Sequence, residues 1–211
     1  MRKILTLSLL SLLVLTAGIA RANDLANPGF ETAPTDVTPG DWFKFAGTCC
    51  GADPLTTATS VHSTVEPRSG TGHMDLSASG PFAFAGVFQD LGIVINPGDE
   101  VTFSGWHKSV LDPYLGTREA KIEWHGAPQL RVDTVVLGTS YEQFSISGIA
   151  PAGTTGATIT YALSTFNTDA GATQVYLDDL DVSIVRAVPE PSTVLLGGLA
   201  LIGFVARRRS A

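Results

Sequence analysis

Glu119-Ala120-Lys121-Ile122-Glu123-Trp124-His125 is the stretch that decides the fold class. Successive side chains of an extended chain point to opposite sides. Ala120, Ile122 and Trp124 therefore share one face, and Glu119, Lys121, Glu123 and His125 share the other. A helix would instead need apolar residues three and four apart. The same period of two runs through Val101-Thr102-Phe103-Ser104-Gly105, Phe144-Ser145-Ile146, Ile159-Thr160-Tyr161-Ala162-Leu163 and Val175-Tyr176-Leu177. The Thr-rich run Thr56–Val65 favours strand as well, because β-branched side chains fit a pleated surface. Pro28-Gly29, Pro39-Gly40, Asn96-Pro97-Gly98-Asp99, Asp112-Pro113 and Pro151-Ala152-Gly153 supply turn chemistry between these runs. About ten short strands with no helix between them predict an all-β, two-sheet antiparallel sandwich.

The chain has 211 residues, with 13 Lys and Arg against 20 Asp and Glu, a formal charge of −7. The ends hold six of the basic residues and one acidic residue, which leaves seven against nineteen in between. Nucleic-acid affinity rests on clustered Lys and Arg, so a phosphate-backbone binder is excluded as the working reading. With 22 Gly, 12 Pro and 16% charged residues, a helical bundle or coiled coil is excluded too. Two cysteines cannot build a disulfide framework, so the core must supply the stability.

Both ends read as addresses. Arg2 and Lys3 precede an apolar run from Ile4 to Leu15, and Ala20-Arg21-Ala22 fits an Ala-x-Ala cleavage site. Residues 1–22 are thus expected to be a signal peptide with an N-terminal signal helix, removed by signal peptidase. The other end runs Pro189-Glu190-Pro191, an uncharged and mostly apolar stretch over 193–206, then Arg207-Arg208-Arg209. The stretch is short for a hydrocarbon core roughly 30 Å thick, and Gly197, Gly198 and Gly203 weaken it as a helix. The terminal arginines should stay cytoplasmic, leaving the domain outside.

This tail resembles the PEP-CTERM sorting signal of Gram-negative bacteria. The resemblance implies a C-terminal transmembrane helix, recognition and processing by an exosortase, and a host that exports polysaccharide. The expected organisation is a signal peptide over 1–22, a sandwich domain over 23–186 and a sorting and anchor segment over 187–211, with a candidate hinge at 185–188.

The domain opens with Leu25-Ala26-Asn27-Pro28-Gly29-Phe30-Glu31 and closes with Tyr176-Leu177-Asp178-Asp179-Leu180-Asp181-Val182-Ser183. Between them lie Arg68–Leu76, Val87–Lys108, Tyr141-Glu142-Gln143-Phe144 and Ala150-Pro151-Ala152-Gly153. Taken in this order, the segments are similar to the carbohydrate-binding modules of families 4 and 9. The resemblance implies a galactose-binding-like jelly roll and a polysaccharide ligand. It also implies a structural Ca²⁺ held by Glu31 with Asp178 or Asp179, hard oxygen ligands that suit that ion.

Residues for catalysis do not assemble into a known pattern. The four histidines, His62, His73, His107 and His125, lack metal-ligand spacing, and no Gly-x-Ser-x-Gly elbow or P-loop is present. Glu119 and Glu123 on one strand face stand roughly 13 Å apart, too far for a glycosidase pair at 5–9.5 Å. They are expected to form a solvated face. Adjacent Cys49 and Cys50 lie in a Gly-flanked loop and are read as a vicinal disulfide, two thiols, or a pair reaching another chain. Sugar platforms need aromatic faces. Trp42 and Trp124 alternate with polar residues as core residues do, whereas Trp106 has the opposite parity to Phe103, and Tyr114 follows Asp112-Pro113 in a loop. Trp106 and Tyr114 are the candidate ligand contacts. The sequence thus describes an exported, non-enzymatic surface or biofilm-matrix protein that binds carbohydrate, with a structural or adhesive matrix protein lacking a sugar site as the alternative.

Overall fold

The computed structural model describes residues 24–111, 116–134, 138–166 and 171–187. The signal segment, Tyr114, and the sorting residues Pro189, Glu190, Pro191, Arg207, Arg208 and Arg209 lie outside the described residues. Ten strands follow in order: β1 (Phe43–Thr48), β2 (Thr57–Ser63), β3 (His73–Ser79), β4 (Ala83–Asp90), β5 (Glu100–Ser109), β6 (Thr117–His125), β7 (Leu130–Thr134), β8 (Glu142–Ile149), β9 (Gly156–Ser164) and β10 (Ala172–Val185). They form two five-stranded sheets, ordered β1-β4-β9-β6-β7 and β2-β3-β10-β5-β8, with antiparallel pairing throughout. The expected all-β, two-sheet antiparallel sandwich is the observed one.

Period-two patterning is what seals the layer between the sheets. Ala120, Ile122 and Trp124 face inward from β6, Ile159, Tyr161 and Leu163 from β9, and Val101 and Phe103 from β5, all buried. Trp42 is fully buried, with its ring 5.4 Å from Phe30. Two histidines are buried as well. His107 Nδ1 and the Tyr161 hydroxyl are hydrogen-bonded at 2.6 Å, and burial lowers His107 to about 3.

β10 is irregular at the acidic run. Its pairing with β5 shifts between Asp178 and Asp181, and Asp179 sits at φ +47°. The bulge inserts residues into one strand only, which re-aims their side chains. Leu180 turns into the core, where a Cβ at Gly105 would overlap it. Asp178 is left buried.

One expectation changes at the C-terminal end. The candidate hinge at 185–188 is held along its described length: β10 pairs through Val185 with Glu100, and Asp99 then binds both residues that follow.

Candidate functional site

The two outward faces of the sandwich carry different chemistry. On the second sheet, Trp106 of β5 faces outward beside Asp178 and Gln143. The β2–β3 connection crosses this face. Arg68 lays its guanidinium 3.8 Å above the Trp106 ring, a cation–π arrangement. Lys108 donates to Glu66 at 2.9 Å and lies 4.9 Å from the Tyr176 ring and 5.1 Å from Tyr141. The Tyr141 hydroxyl donates to the Glu66 carbonyl at 3.3 Å. Trp106 is thus roofed by this chain's own arginine.

The three acidic residues named for calcium meet under the same connection. Asp178 Oδ2 accepts from the backbone N–H of Arg68 at 2.8 Å and of Ser69 at 3.2 Å, and Oδ1 from that of Asp179 at 2.8 Å. Burial nevertheless pushes Asp178 up to about 6. Asp179 is paired with the Arg68 guanidinium and accepts from Ser69 Oγ at 2.7 Å. Glu31 Oε2 accepts from the N–H and hydroxyl of Thr71 at 2.7 and 2.8 Å. Glu31 Oε1 and Asp179 Oδ1 both face Gly29, lying 3.4 and 3.5 Å from where a Cβ there would sit. Two carboxylate oxygens facing one position suit a hard cation in chemistry, and Glu31 and Asp179 are the residues that would hold it. Asp178 is committed to backbone donors. Among the described residues, no three His, Cys, Asp or Glu side chains group as a metal site.

The first sheet presents phenylalanines. The pairing of β1 with β4 sets Phe43 beside Phe88, Phe45 beside Gly86 and Gly47 beside Phe84. Phe43 stacks on Phe88 at 5.0 Å, Phe45 lies 6.2 Å from Phe88 and 6.4 Å from Phe84, and Phe84 lies 5.9 Å from Phe166. Gly47 and Gly86 let these rings lie close to the sheet. A Cβ at Gly47 would stand 2.9 Å from Phe84 Cζ, and one at Gly86 would overlap both Phe45 and the Tyr161 carbonyl. Beyond the rings the face drops to Ala162 and Ser164 of β9, then rises to Glu119 and Lys121 of β6, joined at 3.0 Å. Phe45, Phe84, Phe166, Ala162, Glu119 and Lys121 line a groove of about 250 Å³. Glu119, expected on a solvated face, is only 8% exposed. Aromatic rings on one wall and a paired acid and base on the other is the mixed lining that binds small polar ligands with an apolar face.

The sequence reading did not find this groove. In Phe82-Ala83-Phe84-Ala85-Gly86-Val87-Phe88 both parities are apolar, so alternation alone cannot say which one faces in. The small residues Ala83, Ala85 and Val87 face inward and are buried, Val87 beside Tyr161 and Ala85 beside Leu163, and Gly86 is buried on the outer face under Phe45. The only available signal was the i, i+2 repeat of Phe43 and Phe45 facing a glycine-spaced Phe84 and Phe88. Of the other aromatic candidates, Trp42 and Trp124 are core residues.

Cys49 and Cys50 are joined as a disulfide between neighbouring residues, and Cys50 has φ +61°. They follow β1 directly, and the Cys49 N–H donates to the Phe82 carbonyl at 3.1 Å.

Residues 187–209 match the PEP-CTERM protein-sorting motif. No curated protein matches the chain. Among solved structures, the chain is similar to a Stig cyclase, FisC, from Fischerella sp. TAU, at 14% identity and TM-score 0.57, over 80% of this chain and 100% of that one. It is also similar to the CBM22-1 xylan-binding domain of Paenibacillus barcinonensis Xyn10C, at 16% identity and TM-score 0.51, over 76% and 93%. A third is the enzymatically active domain of bacteriophage CBA120 tailspike protein 4, at 15% identity and TM-score 0.55. There the match takes 77% of this chain but spans only 21% of the tailspike chain. At these identities the likeness is one of fold, and the fold is shared by binding modules and enzymes alike.

Proposed function

We propose that this chain is an exported surface protein, sorted through its C-terminal motif by an exosortase after signal peptidase has removed residues 1–22, and that its sandwich binds polysaccharide without catalysis. The observation that carries the sugar reading is the groove along Phe45, Phe84 and Phe166. A pyranose has an apolar C–H face that lies against aromatic rings, and its hydroxyls need donors and acceptors at the rim. Lys121 supplies donors, Glu119 acceptors and Ser164 both. The address supports the choice of ligand: a protein sorted to the surface of a polysaccharide-exporting cell would meet that cell's own exopolysaccharide first.

Calcium belongs to the same reading as a structural ion at Glu31 and Asp179, remote from the groove and on the other sheet.

A glycan array on the exported protein tests the sugar assignment, with Phe84→Ala and Lys121→Ala as paired variants. Binding that both variants weaken supports the groove. No binding to any glycan, together with phenylalanine-dependent self-association, would move the function to a matrix or adhesive protein.

A further inference from the structure

We propose that the end of the sandwich from which the sorting segment departs is a membrane-seating rim that rests on the lipid surface while the tail is anchored. This inference rests on the reading of residues 187–209 as a membrane-directed tail. Its geometry is independent of the sugar site.

The chain leaves the domain under restraint. Arg186 Nη1 donates to the Val94 carbonyl and to Asp99 Oδ2, both at 2.7 Å, and the Ala187 N–H donates to Asp99 Oδ1 at 2.8 Å. Asp99 is buried, and its Oδ2 also accepts from the Asn96 N–H at 2.9 Å. The turn it caps is tied to the end of β8, with Gly98 N–H donating to the Ala150 carbonyl and Ala150 N–H to the Asp99 carbonyl, both at 2.8 Å. A Cβ on Gly98 would stand 3.2 Å from that of Ala187. Three segments therefore converge on the last described residue.

What they expose around it is aliphatic. Val94, Ile149 and Val185 are 65, 70 and 64% exposed. Val185 pairs with Glu100, and Glu100 pairs with Ile149, so these side chains occupy the same end of the second sheet. The exposed neighbours are Gly92, Asn96, Pro97, Gly98, Ala152 and Gly153. Charge beside the rim comes from Glu100, from Asp90, whose carboxylate accepts from the Gly92 N–H at 2.9 Å, and from Arg186, whose guanidinium is engaged by Asp99. Small and branched aliphatic side chains are what hydrocarbon accepts.

Chain length supplies the occupant. The uncharged run begins at Thr193, six residues beyond Ala187. Six residues reach about 20 Å at most. Three aliphatic side chains bind a bilayer weakly alone, yet a tether this short holds them at high effective concentration. The opposite end of the sandwich, where Thr57 pairs with Ser79, lies away from the anchor and carries its own exposed Leu55.

The test places a thiol-directed fluorophore in the full chain at Val94→Cys, or at Leu55→Cys as the far-end control, without reductant because Cys49 and Cys50 are joined. The chain is reconstituted into phosphatidylcholine and phosphatidylglycerol vesicles containing bromine-labelled lipid. Quenching at 94 should exceed that at 55 at least threefold, and adding Ile149→Glu should remove most of the difference, while Val61→Glu on β2 should leave it. Vesicle-bound chain with equal quenching at both sites, or with none at 94, overturns the rim. Protection at 94 that appears only with exosortase-containing membranes assigns the rim to a protein partner instead. A chain that fails to float with vesicles overturns the membrane reading of the tail, and the rim with it.

Discussion

The two outward faces of the sandwich separate what a protein covers for itself from what it leaves open. On the second sheet, Trp106, Tyr141 and Tyr176 are overlaid by Arg68, Glu66 and Lys108, so each aromatic face already has an intramolecular cation. On the first sheet, Phe43, Phe45, Phe84, Phe88 and Phe166 meet only one another among the described ring contacts. A Trp or Tyr with a cation above it is spent on the fold. A row of phenylalanines beside an acid–base pair is available to a ligand.

Removing the carboxylate beneath the roofed face should have the largest effect. Asp178→Ala leaves the part-buried backbone N–H groups of Arg68, Ser69 and Asp179 without their acceptor, at about 1 kcal/mol each, the low end for an unsatisfied group, so unfolding free energy should drop by about 3 kcal/mol. Chemical denaturation measures it. Lys121→Ala on the open face removes one partner, that of Glu119, and should cost less than Asp178→Ala, which strips the acceptor from three donors; a comparable loss there would erase the contrast.

Chelation comes next. With free Ca²⁺ at 100 times its dissociation constant, an ion at Glu31 and Asp179 stabilises the fold by about 2.7 kcal/mol. EDTA should lower the melting temperature and Ca²⁺ restore it. A chelator-insensitive transition, with no calcium by elemental analysis, removes the ion and leaves Thr71, Ser69 and Arg68 as the sole partners.

Acid should destabilise the roofed side. His73 is buried against Tyr176, with ring centroids 4.3 Å apart, and neither ring nitrogen has a hydrogen-bond partner among the described residues. Burial lowers its pKa from 6.5 to about 4. Below 6.5 the unfolded chain binds this proton and the native state does not. The stability His73 lends is therefore whole above 6.5 and declines as pH falls towards 4, by up to about 1.4 kcal/mol per pH unit. His107 adds to the same trend, and Asp178, raised by burial, opposes it. His73→Phe should flatten the profile; an unchanged slope would mean that His73 does not titrate on unfolding.

The smallest stability effect should accompany the clearest binding effect. Phe84→Ala should reduce polysaccharide retention about tenfold, roughly 1.4 kcal/mol, with little change in melting temperature. Trp106→Ala should leave retention unaltered. A reversal of those two results would return the sugar platform to the second sheet.

Most of the architecture was legible in the sequence because strands that bury one face must alternate. Glu119–His125 and Val101–Gly105 show that directly, and Ile122, Trp124 and Phe103 are buried as their parity requires. β4 was opaque for the opposite reason: with Ala and Val inside and Phe outside, it is apolar on both sides. The acids were legible as residues, since Asp178, Asp179 and Glu31 do converge, but their donors come from Arg68-Ser69-Gly70-Thr71, which only the tertiary fold brings over. The held exit at Asp99 was hidden because a carboxylate in Asn96-Pro97-Gly98-Asp99 reads as turn chemistry, and its second role is to a residue 88 positions away.

Gly47 and Gly86 differ in one respect that bears on descent. At Gly86 an added methyl meets the Tyr161 carbonyl, an immovable part of the next strand, so that position is barred to variation. At Gly47 it meets only the tip of the Phe84 ring, which can swing. A single-base change from glycine to alanine there would tilt one wall of the groove and leave the sheet intact. Groove width is thus a trait that drift and selection can adjust one carbon at a time, without re-evolving the domain that carries it.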